Sequence, residues 1–369
     1  MSISRRKFVA LVGGGVVLAV GVGTTAFLST RTPTRALAPW DAAGDYADPR
    51  LRALSYALLA PNPHNRQPWL IELNGSDGVT LWRDLERDLP ITDPFGRQLT
   101  IGMGCFLELM IMAANEEGYQ VEETLFPQGD DGPIAVCRFV PNKGTPDPLF
   151  AHVMDRRSHK EGFDARDIPS SAAETLSIYG QIVTSGDDRD ALRRIAGGAW
   201  MTEMSTQDAY MESVDLFRIG KAEINANPDG IDLGGAFMDV LYFTGAWNRE
   251  IASDMNEPNV VAAAQETNEI ITTSPAFVVQ KSRSNDRIGQ LAAGRTWLRF
   301  NLAATGLGLA TRPVSQAIQE YPEVQPYFKE IHEQFAEDGE TIQMLGLLGF
   351  GELTPKTPRW GLETRLIET

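Results

Sequence analysis

Two stretches of this chain repeat the same helical pattern, and that constrains its fold more than any other feature. From Arg97 to Tyr119 apolar residues recur at helical period and Gly118 supplies a stop. A second such stretch runs from Arg287 to Gly308. A shift of 190 residues, the separation of Arg97 from Arg287, aligns them without a gap. Gly104 then falls on Gly294, Ala113-Ala114 on Ala303-Ala304, and Gly118 on Gly308. Small residues at matching positions let two helices approach closely, so a pseudo-symmetric central pair is expected.

Strands are expected around that pair. Trp69–Leu73 and Val79–Arg83 flank Asn74-Gly75, a turn signal, and read as a hairpin. Ile134–Val140, Ala276–Gln280 and Leu345–Phe350 are further candidates. Strands mixed with long helices predict an α+β layered fold with a mixed or antiparallel sheet. The Pro-, Gly- and Asp-rich segment Pro141–Pro148 suggests a boundary, giving one half over residues 39–145 and a second over 146–369. Residues 200–260, rich in Met and aromatics around Gly234-Gly235, read as a helical layer or a lid.

Residues 1–38 have a different character. Ser4-Arg5-Arg6-Lys7-Phe8 precedes an uncharged apolar, glycine-rich run from Phe8 to Leu28, a charged n-region followed by an h-region. The start resembles a twin-arginine export signal, so an exported protein, periplasmic or anchored facing outside the cytoplasm, is expected. Ala36-Leu37-Ala38 offers a small-x-small cleavage site, with Pro39 a poor residue to follow it. The run is also long enough to tether the chain to a membrane. Gly13-Gly14-Gly15 and Gly21-x-Gly23 lack the spacing of a dinucleotide fingerprint and have no strand before them.

Composition narrows the partners. A formal net charge of −16 disfavours nucleic acid and anionic lipid surfaces. Two cysteines, Cys105 and Cys137, allow one disulfide but not a disulfide framework. The four histidines fall at no metal-ligand spacing to another His or Cys.

Three short constellations carry chemistry. Ala60-Pro61-Asn62-Pro63-His64-Asn65-Arg66-Gln67-Pro68-Trp69 is stiff and non-helical, and its amides suit the edge of a polar heterocycle; alone it also reads as a proline-rich turn capping a helix. Asp155-Arg156-Arg157-Ser158-His159-Lys160 is a basic cluster in an acidic protein, with the forks and hydroxyl a phosphomonoester needs; alone it also reads as a solvated charge run. Gly306-Leu307-Gly308-Leu309-Ala310-Thr311-Arg312-Pro313 is a helix end passing into extended chain.

Together these motifs resemble the nitroreductases. The first is similar to that family's A-P-S-x-x-N-x-Q-P-W segment and the second to its R-R-S-x-R/K flavin-phosphate segment. Their order is inverted relative to ordinary members. With Asp93-Pro94-Phe95-Gly96-Arg97 and Thr357-Pro358-Arg359, that order resembles the Acg-type branch of fused pseudo-dimers with one flavin site. The outline spans residues 50–360, and Asn62 stands where the branch has serine. The resemblance implies a single FMN. Arg156, Arg157, Ser158 and Lys160 would hold its phosphate and ribityl chain, with Arg359 adding charge. Asn62, Pro63, Asn65 and Gln67 would face it from the other half, and Thr311-Arg312-Pro313 would pass flavin N5. It implies two-electron reduction of a nitro- or quinone-like acceptor, with electrons from NAD(P)H or, outside the cytoplasm, a membrane quinol or redox partner. A non-catalytic FMN-holding protein is the alternative. No catalytic acid is required, and His64 is expected in a local hydrogen-bonding role.

Overall fold

The computed structural model describes residues 31–368. The Ser4–Phe8 motif and the Phe8–Leu28 run lie outside the described residues. From the N-terminal side come α1 (Thr34–Asp41), α2 (Pro49–Ala57), β1 (Trp69–Asn74), β2 (Gly78–Arg83), α3 (Arg97–Glu116), β3 (Tyr119–Leu125) and β4 (Ala135–Pro141). Then follow α4 (Ser170–Leu176), β5 (Gln181–Val183), α5 (Gly186–Ser205), α6 (Gln207–Asp215), β6 (Phe217–Ile219), α7 (Gly220–Ala226) and β7 (Ile231–Leu233). The chain continues through α8 (Ala236–Phe243), α9 (Arg249–Ala252), α10 (Pro258–Thr272), β8 (Ala276–Ser282), α11 (Arg287–Gly306), β9 (Ala310–Pro313), α12 (Gln325–Phe335) and β10 (Thr341–Gly349). The fold class is α+β.

Two antiparallel four-stranded sheets, ordered β1-β2-β4-β3 and β5-β8-β10-β9, supply the framework. The expected hairpin is β1–β2, in register from Trp69 opposite Arg83 to Asn74 opposite Gly78. Arg50 holds its turn, donating from Nη1 to the Gly75 and Gly78 carbonyls (3.0 and 3.1 Å) while Nη2 pairs with Asp48 (2.7 Å). β8 is buried on both faces. Val278 joins the larger core with α3 and α11, whereas Phe277 and Val279 join a second core under α5 and α12. Double burial explains why this strand reads as an unbroken apolar run.

The two long helices pack as the repeated glycines predict. A Cβ on Gly104 would stand 2.2 Å from the Leu291 carbonyl oxygen, and one on Gly294 would stand 1.9 Å from that of Ile101. The contacts are reciprocal, because the same shift that carries Gly104 onto Gly294 carries Ile101 onto Leu291. Each helix ends one residue before its C-cap and passes into a left-handed glycine, Gly118 (φ 80°) and Gly308 (φ 71°). Cys105 and Cys137 are free and buried, and the Cys105 thiol donates to the Gly294 carbonyl (3.0 Å).

Residues 200–260 form a largely helical layer that includes a small parallel pair, β6–β7. Beyond β10 the chain crosses back to the first sheet, where Ile71 exchanges backbone bonds with Arg365 and Ile367 (2.8 Å each). That return carries Thr357–Arg359 to the end of α2. Helix α1 packs there as well: the Ala36 carbonyl accepts from Arg359 N (2.8 Å) and Trp40 Nε1 donates to the Thr357 carbonyl (2.8 Å).

Candidate functional site

The Ala60–Trp69 turn leaves α2 and folds against α3. A Cβ on Gly102 would meet the Asn62 Cβ at 3.0 Å and the Pro63 Cδ at 3.1 Å, so the small residue admits the turn. The amides expected at a heterocycle edge hold this turn together. Asn62 Oδ1 accepts from Gln67 N (2.7 Å), and its Nδ2 donates to the Ala60 carbonyl (3.1 Å). Asn65 donates to the Pro358 carbonyl (3.1 Å) and accepts from Arg359 Nη1 (2.6 Å). Gln67, fully buried, donates to the Pro228 carbonyl (2.8 Å) and accepts from Trp360 N (2.9 Å).

Three arginines converge at the C-terminal end of α2, where unpaired carbonyls favour cations. Arg359 is engaged throughout: Nε bonds the Leu58 carbonyl (2.7 Å), and Nη2 bonds those of Leu59 and Ala60 (3.3 and 3.2 Å). Arg156 shares the Leu59 carbonyl through Nη2 (3.0 Å), but its Nη1 is buried without a partner. Arg157 Nε is likewise buried and unpaired, and its guanidinium lies 4.7 Å above the Trp40 ring. Among the described residues, none of the three forms an ion pair with a carboxylate. Burial, compounded by mutual repulsion, pulls Arg156 down to about 10 and Arg359 to about 9. An anion there would reverse both effects.

A cavity of about 190 Å³ opens beside this cluster, between the two long helices. Pro61–His64 wall it together with one face of α3: Gln98, Ile101, Gly102 and Cys105. The opposite wall is Ser158, Trp297, Pro313, Ser315, Gln316 and Met344. Asn62, Pro63, Ser158 and Pro313 are thus brought to one space. Arg156 lies close enough behind it for its charge to bear on Cys105.

Thr311, Arg312 and Lys160 do not line this space. Thr311 is buried: its hydroxyl donates to Asn301 Oδ1 (2.8 Å), and its carbonyl accepts from His159 N (2.8 Å), joining β9 to the Arg156–Ser158 segment. Arg312 donates to the Lys160 carbonyl (3.3 Å), while the Lys160 ammonium is exposed and paired with Asp232 (2.6 Å). Sequence reasoning missed Trp40, Trp297, Ser315, Gln316, Met344 and the α3 face. That face had a signal, since Gln98, Ile101, Gly102 and Cys105 follow the i, i+3, i+4, i+7 spacing of one helix side.

No family model matches the chain. "Putative NAD(P)H nitroreductase Rv3131" of Mycobacterium tuberculosis (strain ATCC 25618 / H37Rv) is 23% identical over 277 residues, covering 72% of this chain and 76% of that protein. "Uncharacterized protein Rv3127" of the same strain is 34% identical over 93 residues, 24% of this chain and 27% of that one. Among solved structures, the FMN-dependent nitroreductase NfnB from Mycobacterium smegmatis, in complex with NADPH, aligns with 58% of this chain and 96% of its own at 17% identity and a TM-score of 0.36. An FMN-bound nitroreductase from Bacteroides fragilis aligns with 58% and 97% at 13% identity and a TM-score of 0.34. Over 72% of its length, therefore, this chain is similar in sequence to a protein named as a putative NAD(P)H nitroreductase.

Proposed function

We propose that the chain is a flavoprotein of nitroreductase type that holds one FMN in the cavity between α3 and α11, with the phosphate on Arg156, Arg157 and Ser158. One observation carries this reading. Arg156 is 4% exposed, has an unpaired Nη1, and faces no carboxylate among the described residues. A buried cation is tolerated at low cost only with an anionic partner, and a phosphate supplies one with matching fork geometry. The reciprocal contact of α3 and α11 supports the fused, single-site form of the family, because one chain then supplies both walls.

When bound, the flavin supplies two-electron transfer to a nitro- or quinone-like acceptor, from NAD(P)H or a quinol. The chain's own residues bind and orient: the arginines neutralise charge, the proline-stiffened turn fixes one wall, and Trp297 and Met344 exclude water. A second reading is FMN held without turnover.

Purification without added cofactor tests the binding: bound flavin absorbance is expected, and an Arg156→Ala/Arg157→Ala variant should lose it. Colourless protein, or a variant as yellow as wild type, would end the assignment. Reduction of the bound flavin by NADPH, followed by oxidation by a nitro or quinone acceptor, would remove the holding-only reading.

We further infer export through a twin-arginine leader, with the segment around Ala36–Ala38 retained. Support comes from α1, where Ala36 and Trp40 are each 1% exposed, so this helix is packed onto the folded body although Ala38 itself is exposed. Mass measurement of the membrane-fraction protein tests it, and a mature chain beginning at Pro39 would refute it.

A further inference from the structure

The turn between α2 and β1 places three side-chain-bearing residues in left-handed backbone, His64 (φ 48°), Asn65 (φ 51°) and Gln67 (φ 52°). Residues with a Cβ seldom adopt this region, and it persists where surrounding interactions hold it. For two of the three those interactions are internal. The Asn65 amide is fixed by Pro358 and Arg359, and the Gln67 amide by Pro228 and Trp360. Removing either amide would unpair buried groups of the C-terminal return.

His64 has no such anchor. Its Nδ1 is buried with no hydrogen-bond partner among the described residues, and its ring stands on the cavity wall with Pro63, Gln98 and Gly102. The local hydrogen-bonding role expected from the sequence is therefore not made by Nδ1 among the described residues. A left-handed backbone that sets a ring with an unpaired nitrogen in a cavity wall is an arrangement suited to a ligand-binding residue.

We propose that His64 touches the occupant of this cavity directly, its imidazole nitrogen hydrogen-bonding the polar edge of a planar heteroaromatic ring. The inference rests on the flavin reading above and names a contact to the ring, distinct from the phosphate contacts of Arg156 and Arg157. Burial is the largest influence on the imidazole and, with the Arg66 charge, holds its pKa below the ordinary value against the opposing pull of Glu212. A neutral imidazole can donate or accept according to its tautomer, and it brings no uncompensated charge to the ring.

The test is a pair of variants titrated with FMN, with thermal unfolding measured on the flavin-free protein. His64→Gly removes the ring and relaxes the backbone, whereas His64→Asn keeps a polar group in a residue tolerant of φ > 0. A ligand-binding role predicts that His64→Gly leaves the melting temperature unchanged or raises it, and weakens FMN affinity about tenfold, the effect of one lost buried hydrogen bond. His64→Asn should recover part of that affinity. A merely structural role predicts the reverse, a fall in melting temperature with affinity retained, and that result would overturn the proposal. Equal FMN affinity for wild type and His64→Gly would overturn it too. If wild type itself binds no FMN, the flavin reading fails and the occupant named here fails with it; the other outcomes reject the His64 contact alone.

Discussion

Replacing Gly294 by alanine tests whether the close helix pair sets both stability and cavity shape. The new Cβ would lie 1.9 Å from the Ile101 oxygen, 2.9 Å from its carbonyl carbon and 3.0 Å from Cys105 N, where ordinary contact begins at 3.4 Å. All three atoms are backbone, so no side chain can swing aside. The helices must separate locally by about 1.5 Å, the difference between ordinary contact and the 1.9 Å approach, in an interior that does not deform smoothly. Overpacking typically costs ~1–3 kcal/mol and more when backbone has to move, so a loss of about 3 kcal/mol is expected, roughly 5 °C in Tm. Gly104→Ala meets the Leu291 oxygen at 2.2 Å and should behave alike. The double variant should lose at least ~1 kcal/mol less than the sum, because the second Cβ enters space the first has opened. Gly118→Ala, with nothing within 4 Å, should lose only the ~1 kcal/mol strain of φ 80°. Urea and thermal unfolding of the four variants decide the matter. A Gly294→Ala change within ~0.5 kcal/mol of wild type, or strictly additive losses, would refute the reasoning.

Arg156→Met should leave flavin-free stability unchanged or improved, since it removes a buried cation without an ion pair, while weakening FMN binding by ~100-fold or more; a large fall in flavin-free stability would contradict this. Glu203 is buried with Oε2 unpaired, beside Gln316 and Gln319 and within reach of the Glu212 charge, and burial raises its carboxyl to about 7 from an ordinary 4.5. The folded state thus favours the protonated form. Its contribution is full below the unfolded value and is lost as pH rises towards about 7, a change of about 3 kcal/mol that Glu203→Gln should abolish in melts across that window. Trp40→Ala should cost ~3 kcal/mol from the cavity and the lost bond to Thr357. It should also expose Ala36–Ala38 to limited proteolysis, and an N-terminus as resistant as wild type would count against the packing of α1.

What the sequence could disclose depended on whether a residue's role was local. Gly104 and Gly294 were legible because only a missing side chain admits a facing backbone, and the 190-residue shift paired them. The β1–β2 hairpin was legible for the same reason, its turn residues acting on their own neighbours. β3 was not. Tyr119, Val121 and Leu125 pack on the core between exposed Gln120, Glu122 and Thr124, but exposed Glu123 interrupts the apolar alternation and leaves the strand signal too short to read. The N-terminal start of β10 was hidden by Gln343, a polar residue in a core strand whose backbone oxygen accepts from buried Arg97 (2.9 Å). The cavity face of α3 was masked by excess rather than absence. Seventeen of its 20 residues are buried, so no amphipathic stripe separates those facing the cavity from those facing the core. α1 posed the opposite difficulty: Ala36, Leu37 and Ala38 suit a leader's end, yet three cations around the Trp40 ring, Arg157, Arg359 and Lys356, bind that helix to the body. The arginine cluster was found by sequence because its residues are adjacent. That Arg156, Arg157 and Arg359 form no ion pair with a carboxylate among the described residues, although Asp155 and Asp232 lie near enough to act on Arg157 and Arg359, is a property of the fold that no run of six residues can carry.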